Sequence, residues 1–262
     1  MLRALHTAAS GMEAQQLNID TIAHNLANIN TSGYKYRKAQ FQDLLYQNMR
    51  QAGASNTATT EIPVGLQVGL GTKPVASEII FTQGDFASTD NPLDLVIEGQ
   101  GFFQVRMTDG QIAYSRNGNF HLNRDGSMVT SEGDLLDPPI DIPPEQTGVM
   151  IGSDGTVSVQ LPDQTQPQQV GRIELALFQN PSGLENIGKS LFLPTQASGD
   201  ATTGIPGENG LGTLLSGYVE QSNVSVVEEM INMIISQRAY EANSKVIRTA
   251  DEMFTQANNI VR

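Results

Sequence analysis

One stretch of the sequence has the letters of a phosphate-binding loop. Gly183, Gly188, Lys189 and Ser190 follow the spacing G-x-x-x-x-G-K-S, in which backbone amides at the start of a helix would bind phosphate. Ser190 is instead followed by Leu-Phe-Leu-Pro, a strand-like run that proline ends before a helix could form. We interpret the match as a surface turn between two strands.

The other candidate sites for chemistry are weaker. Gly99-Gln-Gly101 lacks the third glycine and the helix of a dinucleotide-binding loop, so it predicts a strand entry or bulge. His6 and His24 share a helix face but lie about 27 Å apart along it, and His121 stands alone on a predicted strand. We predict no metal site from these three histidines.

Carboxylates are abundant in the centre of the chain, but no spacing among them marks a catalytic acid–base pair. Asp85, Asp90, Asp94 and Glu98 are typical of a solvated acidic face. The chain has no cysteine, which excludes thiol chemistry and thiolate metal sites. We therefore predict that the protein is not an enzyme, with no catalytic residue, no cofactor and no small-molecule substrate.

The charge is unevenly distributed. The formal net charge is −13, and residues 51–215 alone carry that whole imbalance. Such an acidic chain is unsuited to nucleic-acid binding, which needs clustered basic residues. The short basic run of Lys35, Arg37 and Lys38 predicts a solvated loop or helix end.

The N-terminus lacks the continuous apolar core of a cleaved secretory signal, so any export is expected to use another route.

Residues 2–29 predict one long amphipathic helix. Small and apolar side chains recur at alternating spacings of three and four, the a/d pattern of a coiled coil. Gly33 then predicts a left-handed helix stop. The helix positions are Leu2, Leu5, Ala9, Met12, Gln16, Ile19, Ala23 and Leu26.

Residues 222–261 predict a second long helix with the same spacing. Two adjacent stripes on one helix indicate more than one neighbouring helix. The first stripe contains Ala239, Asn243, Val246, Ala250, Met253, Ala257 and Ile260, and the second contains Val226, Met233, Tyr240, Ile247, Phe254 and Val261.

The centre predicts β structure. Asp109-Gly110, Asp125-Gly126 and Asp154-Gly155 each lie between short alternating runs, a strong hairpin signal. We therefore predict an α+β fold, with long N- and C-terminal helices forming a coiled-coil-like layer around a central all-β domain. The predicted boundaries are 1–40 with 216–262 for the helical domain, 41–75 for a linker or extended stretch, and 76–215 for the β-rich domain.

Three blocks resemble the rod and hook proteins of the bacterial flagellum. Residues 9–14 with 22–35 are similar to the N-terminal signature of that family, residues 93–103 with 114–120 to the start of its β domain, and residues 217–245 to its C-terminal signature. The length and the segment 41–71 most resemble the distal-rod members. A proximal-rod or hook-family sibling with the same axial role is the alternative within the family.

The resemblance implies a structural subunit of the basal-body rod, which crosses the periplasm as a helical tube and transmits motor torque. It implies export through the flagellar type III apparatus without a cleaved signal. The implied partners are copies of itself, proximal-rod proteins, the hook protein, and ring proteins where an outer membrane exists. An alternative of another class is an acidic binding or cell-wall-processing module with a helical oligomerisation stalk.

The helical stripes are the candidate assembly interface. Their apolar side chains are expected to pack between the two helices and against other copies. The predicted interface residues are Leu5, Met12, Ile19, Leu26, Tyr240, Val246, Ile247, Met253, Phe254 and Ile260.

Overall fold

The computed structural model describes residues 2–51, 55–57, 60–61, 64–162 and 166–260. The chain divides into two compact units. The helical unit contains residues 1–26, 37–78 and 225–262, and the β unit contains residues 27–36 and 79–224. The boundaries predicted from the sequence remain a prediction.

The helical unit contains the two long helices at its ends. Both were predicted, and both persist because few helix breakers interrupt them. Segment 41–75, predicted as linker or extended chain, contributes strands that pair as β1 with β6, β2 with β5, and β3 with β4. The elements are α1 (Leu2–Ala27), β1 (Arg37–Asp43), β2 (Tyr46–Arg50), β3 (Ser55–Thr57), β4 (Thr60–Glu61), β5 (Leu66–Gly69), β6 (Thr72–Ile79) and α2 (Val226–Ile260).

The described part of the β unit contains sixteen strands and one short 3-10 helix, Pro181–Gly183. The strands are β7 (Phe86–Ser88), β8 (Leu95–Glu98), β9 (Phe102–Arg106), β10 (Ile112–Ser115), β11 (Phe120–Leu122), β12 (Met128–Thr130), β13 (Leu135–Leu136), β14 (Gly148–Ile151), β15 (Thr156–Gln160), β16 (Gln168–Arg172), β17 (Leu175–Leu177), β18 (Glu185–Gly188), β19 (Leu191–Leu193), β20 (Thr202–Gly204), β21 (Thr213–Ser216) and β22 (Tyr218–Glu220).

The largest sheet of the described residues has nine strands, with β11-β12-β13-β9-β10-β19-β18 as its main path. β17 joins it beside β9, and β20 pairs with β17. A three-stranded sheet, β14-β15-β16, and the pairs β8 with β21 and β7 with β22 complete the unit. The core between them is apolar, and Leu95, Phe103, Phe120 and Leu175 are fully buried within it.

All three predicted hairpins are confirmed. β9 pairs with β10, β11 with β12, and β14 with β15, each antiparallel around its Asp-Gly turn. Gly110 and Gly126 have φ of 85° and Gly155 has φ of 80°, the left-handed region that glycine adopts without strain.

The phosphate-loop match is also resolved as predicted. β18 and β19 form a hairpin there, and its turn residues Lys189 and Ser190 have φ of 56° and 60°. Because a strand and not a helix follows Ser190, no helix N-terminus is available there to bind phosphate.

Candidate assembly surface

The two long helices contact each other through small and polar residues. As the numbers rise by seven along α1 they fall by seven along α2, so the two helices run antiparallel at this contact. We call these three pairs the polar ladder: Gly11 with Asn243, Asn18 with Ser236, and Asn25 with Glu229.

The ladder is tight at both ends. A Cβ at Gly11 would lie 2.9 Å from Asn243 Nδ2, so the terminal amide of Asn243 would have to shift to admit one. Asn18 Nδ2 donates to Ser236 Oγ over 2.8 Å. Asn25 is fully buried, and its Nδ2 donates to Glu229 Oε2 over 2.9 Å. Hydrogen bonds of this kind satisfy polar groups that would otherwise be costly to bury.

The apolar residues predicted on α1 flank this ladder. Leu5, Met12, Ile19 and Leu26 are each half-buried. The most buried apolar side chains of α1 are instead Ala8, Ala14 and Ile22. The hydrophobic stripe is therefore partly covered within one chain and partly open.

The predicted residues of α2 divide into two groups. Ile247 and Phe254 are half-buried. Tyr240, Val246 and Met253 are 39%, 47% and 52% exposed. Ile260 is the last residue of α2, and Val261 lies outside the described residues. The interface role of these residues remains a prediction, and the first stripe contributes Asn243 to the ladder.

The connections to the helices meet inside the β unit at a buried ionic cluster, which we define as Lys35, Arg116 and Glu220. Lys35 Nζ lies 2.6 Å from Glu220 Oε1, and Arg116 Nε lies 3.4 Å from Glu220 Oε2. None of the three side chains is more than 4% exposed. The prediction that Lys35 is solvated is therefore wrong. Its partner lies 185 residues away in sequence, so local composition gave no sign of the pair.

Further hydrogen bonds complete the ionic cluster. Lys35 Nζ donates to Thr82 O over 2.7 Å, and the Gly84 amide donates to Glu220 Oε1 over 2.9 Å. Arg116 donates to the carbonyls of Gly99 and Gly101. Burial lowers the pKa of Lys35 to about 8, against the opposing attraction of Glu220. Burial also lowers the pKa of Arg116.

Gly33 makes this close approach possible. Its φ of 69° confirms the predicted left-handed stop. Its amide donates to the Glu220 carbonyl over 2.9 Å. A Cβ at this position would lie 2.6 Å from the backbone nitrogen of Asn117, so any larger residue would collide with backbone that cannot rotate away.

The β2–β5 pair leaves large apolar side chains in solvent. Leu45 is 85% exposed, and Tyr46, Met49 and Leu66 are 53–54% exposed. A lone two-stranded pair is marginally stable in water. The exposed apolar side chains of this pair are therefore suited to burial against another surface.

The described residues hold no group of three or more His, Asp or Glu that could bind a metal ion. His6, His24 and His121 are all exposed. No described helix combines the length and the apolar character needed to span a membrane. The features that stand out are apolar surfaces and not a reaction site.

Comparison with known families agrees in order along the chain. Residues 5–35 match the family described as flagella basal body rod protein. Residues 96–159 match the flagellar hook protein FlgE/F/G D1 domain, and residues 215–260 match the flagellar basal body rod FlgEFG protein C-terminal region.

Relatives match over the whole length. The flagellar basal-body rod protein FlgG of Buchnera aphidicola subsp. Schizaphis graminum is 48% identical over 260 residues, covering 99% of this chain and 100% of the relative. The FlgG of Caulobacter vibrioides is 49% identical over 260 residues, covering 99% of each. That of Borreliella burgdorferi is 48% identical over 264 residues, covering 100% of each. The chain belongs to the FlgG family of flagellar basal-body rod proteins.

Membership in the FlgG family confirms the predicted distal-rod structural subunit of the flagellar basal body. The family is structural and not enzymatic, so the alternative of a cell-wall-processing module is set aside.

Sequence reasoning missed one strongly exposed apolar surface of this FlgG-family chain. We call it the α2 stripe: Val227, Met230, Ile231, Ile234 and Ile235, which are 52–68% exposed. Their spacing of three and four gives one helix face. The signal was present in the run Val-Val-Glu-Glu-Met-Ile-Asn-Met-Ile-Ile, but a seven-residue repeat that continues to residue 261 drew the prediction to other positions.

Proposed function

We propose that the chain builds the distal rod as a helical tubular polymer that transmits motor torque to the hook. In this polymer the terminal helices of many copies form an inner coiled-coil-like layer. The observation that carries the proposal is the large apolar surface that a single chain leaves on α2. Monomeric proteins rarely expose contiguous apolar patches beyond a few hundred Å².

Energetics favour covering this surface. Fully burying one large aliphatic side chain is worth about 1.5–3 kcal/mol. The five side chains of the α2 stripe are each more than half exposed. A second copy that covers them therefore gains several kcal/mol per subunit, before the orientational cost of association.

The surfaces offered are different from one another. The α2 stripe is strongly exposed, whereas Leu5, Met12, Ile19 and Leu26 form a half-buried stripe on α1. A contact between two different surfaces of identical chains is heterologous. Such a contact repeats without closing when its rotation does not close a ring, which produces a helical filament.

Stiffness follows from the same packing. Protein interiors are as dense as organic crystals and deform little, so a layer of laterally packed helices resists torsion. Segment 41–71 is proposed to pack between neighbouring copies and restrain bending. Its exposed residues Leu45, Tyr46 and Leu66 support this role.

The proposed partners extend beyond copies of the same chain. They are the proximal-rod proteins, the hook protein, ring proteins where an outer membrane exists, and the flagellar type III export apparatus. The proposed division of labour places the two helices in the assembly layer and the acidic β unit outside it.

The test replaces one apolar residue by aspartate in a strain that lacks the native gene. Leu26→Asp and Val246→Asp are expected to abolish rod assembly, because an unpaired carboxylate buried at an interface costs several kcal/mol. Val246 is 47% exposed, so its variant is expected to fold as a monomer. Imaging of isolated basal bodies should show a rod that stops short of the hook.

Met150→Asp is the matched control, since Met150 is 59% exposed but lies in the β unit. That variant is expected to build normal rods and support motility. Full-length rods and normal swimming with Val246→Asp and Leu26→Asp would contradict the proposed interface.

A further inference from the structure

We propose that the polar ladder sets a single register between α1 and α2 within each chain and thereby keeps the apolar stripes for other copies. The first half of this inference concerns one chain alone. The second half rests on the proposed assembly function. Three pairs with the same seven-residue repeat on both helices carry the argument.

Hydrogen bonds specify register more strictly than apolar contacts do. An apolar side chain loses little when its helix slides to the next turn, because another apolar side chain takes its place. A buried polar side chain needs one partner at one distance, and a polar residue at a single a position is known to fix register in coiled coils. Asn18 and Asn25 likewise lie at the contact between the two helices.

The Gly11 pair discriminates between registers by shape. The terminal amide of Asn243 packs so closely on Gly11 that Nδ2 would lie 2.9 Å from a Cβ there. A slide of one heptad, about 10 Å, would bring Ala4 or Asn18 opposite Asn243 instead. Both of these residues carry a Cβ, so the close approach would be lost in either direction.

The Asn25 pair adds a second constraint. Its Nδ2 donates to Arg37 O over 2.8 Å as well as to Glu229, and its Oδ1 accepts from the Arg37 amide over 3.0 Å. Glu229 is 1% exposed. A slide that brings Asn18 opposite Glu229 would keep one hydrogen bond for that carboxylate. It would still separate Asn25 from Glu229 and place Ala4 opposite Asn243.

The ladder also explains why the apolar residues stay open. Small and polar side chains form the ladder contacts, so these contacts use no large apolar group. Val246 and the α2 stripe are left at the surface. The contact within the chain is therefore specific, and the apolar burial that strengthens the layer comes from other copies.

The experiment uses the absence of cysteine in the chain. Two double variants of the full-length protein are prepared, Asn18→Cys with Ser236→Cys in register, and Asn18→Cys with Asn243→Cys one heptad out of register. Dilute purified protein is treated with a thiol-bridging reagent shorter than a heptad. Gel mobility then separates a link within one chain from a link between two chains.

The in-register pair is expected to bridge within one chain at least about tenfold more than the out-of-register pair, a ratio that corresponds to about 1.4 kcal/mol. Adding Gly11→Leu should reduce that ratio toward one, because leucine favours helix but fills the space of Asn243. Ala9→Leu, at an exposed position of α1, is the matched control and should preserve the ratio.

Equal bridging in both registers, bridging mainly between chains, no bridging in either pair, or a ratio unaffected by Gly11→Leu would each overturn the inference. The outcome is separable from the proposed function. A register that holds while Val246→Asp chains still build rods would refute the assembly interface and leave the ladder standing. A register that is not held, together with Val246→Asp chains that fail to build rods, would refute the ladder alone.

Discussion

Replacing Glu220 with glutamine removes the only anion of the buried ionic cluster while keeping the shape of its side chain. Lys35 and Arg116 would then be two buried cations without a counter-charge. Removing one partner of a buried ion pair typically costs about 3–5 kcal/mol. For a domain of this size each kcal/mol lowers the melting temperature by about 2–4 °C. We therefore expect a decrease of about 6–20 °C.

Lys35→Met should destabilise less than Glu220→Gln. It leaves Arg116 paired with Glu220, so the cluster becomes neutral overall, and it sacrifices two hydrogen bonds, to Thr82 O and to Glu220. A net hydrogen bond to a charged group contributes about 1.5–3 kcal/mol, and the loss is offset by the desolvation of a charge that no longer has to be buried. The double variant Glu220→Gln with Lys35→Met should lose less free energy of unfolding than the two single variants lose when their losses are added.

The assay is thermal unfolding of dilute full-length protein, followed by far-ultraviolet circular dichroism at the β-sheet minimum. Lys189→Met is the matched control, because the Lys189–Glu132 pair has a similar contact at 2.9 Å but side chains that are 60% and 53% exposed. Its melting temperature should not change measurably, since exposed ion pairs contribute little. Equal shifts for Glu220→Gln and Lys189→Met would refute the reasoning from burial.

Two further predictions concern the same region. The pKa of Lys35 is about 8 in the folded chain against 10.5 when solvated. Because the unfolded chain therefore binds more protons between those two pH values, the free energy of unfolding should rise with pH across that window. Urea titrations at pH 8 and pH 10 should show this rise in the native chain and its loss in Lys35→Met, whereas an equal rise in both would exclude Lys35 as its source. Gly33→Ala should destabilise more than Gly110→Ala, because both have positive φ but a Cβ at Gly110 meets nothing within 4 Å; the open site should cost about 1–2 kcal/mol, and equal costs would contradict the steric argument.

The parts of the fold that depend on neighbouring residues could be predicted from the sequence. An Asp-Gly pair between alternating runs specifies a hairpin turn through its own backbone preference. The three hairpins and the turn at Lys189 are therefore encoded locally. The same holds for Gly33, where the end of a helical pattern and a glycine coincide.

The face by which α1 meets α2 could not be predicted in this way. Periodicity weighs large apolar side chains and favours the stripe through Met12 and Val246, which remains a prediction. It gives no sign of the contacts of Gly11 and Asn18 within one chain, because hydrophobic scales rank these residues as neutral or polar. Close approach of two helices selects small side chains, and that requirement depends on which helix is the partner.

The burial of Lys35 illustrates a different limit. A lysine beside other basic residues is almost always solvated, and only the fold brings Glu220 to it. The carboxylate precedes α2 and the amine follows α1 along the chain. Two segments that leave the β unit are thus held side by side within that unit by the ion pair and by the Gly33–Glu220 hydrogen bond.

The buried ionic cluster and the polar ladder both order segments of the chain through buried polar groups. In the proposed assembly the exposed apolar side chains of α2 are covered by other copies, so the register of α1 against α2 within one chain depends on the ladder. Buried polar groups suit this purpose because each tolerates one partner and penalises every other arrangement. A chain that exchanged all six residues of the polar ladder for leucine would bury more apolar area within one copy. It would also lose every contact that we propose sets the register, and the helices could then slide.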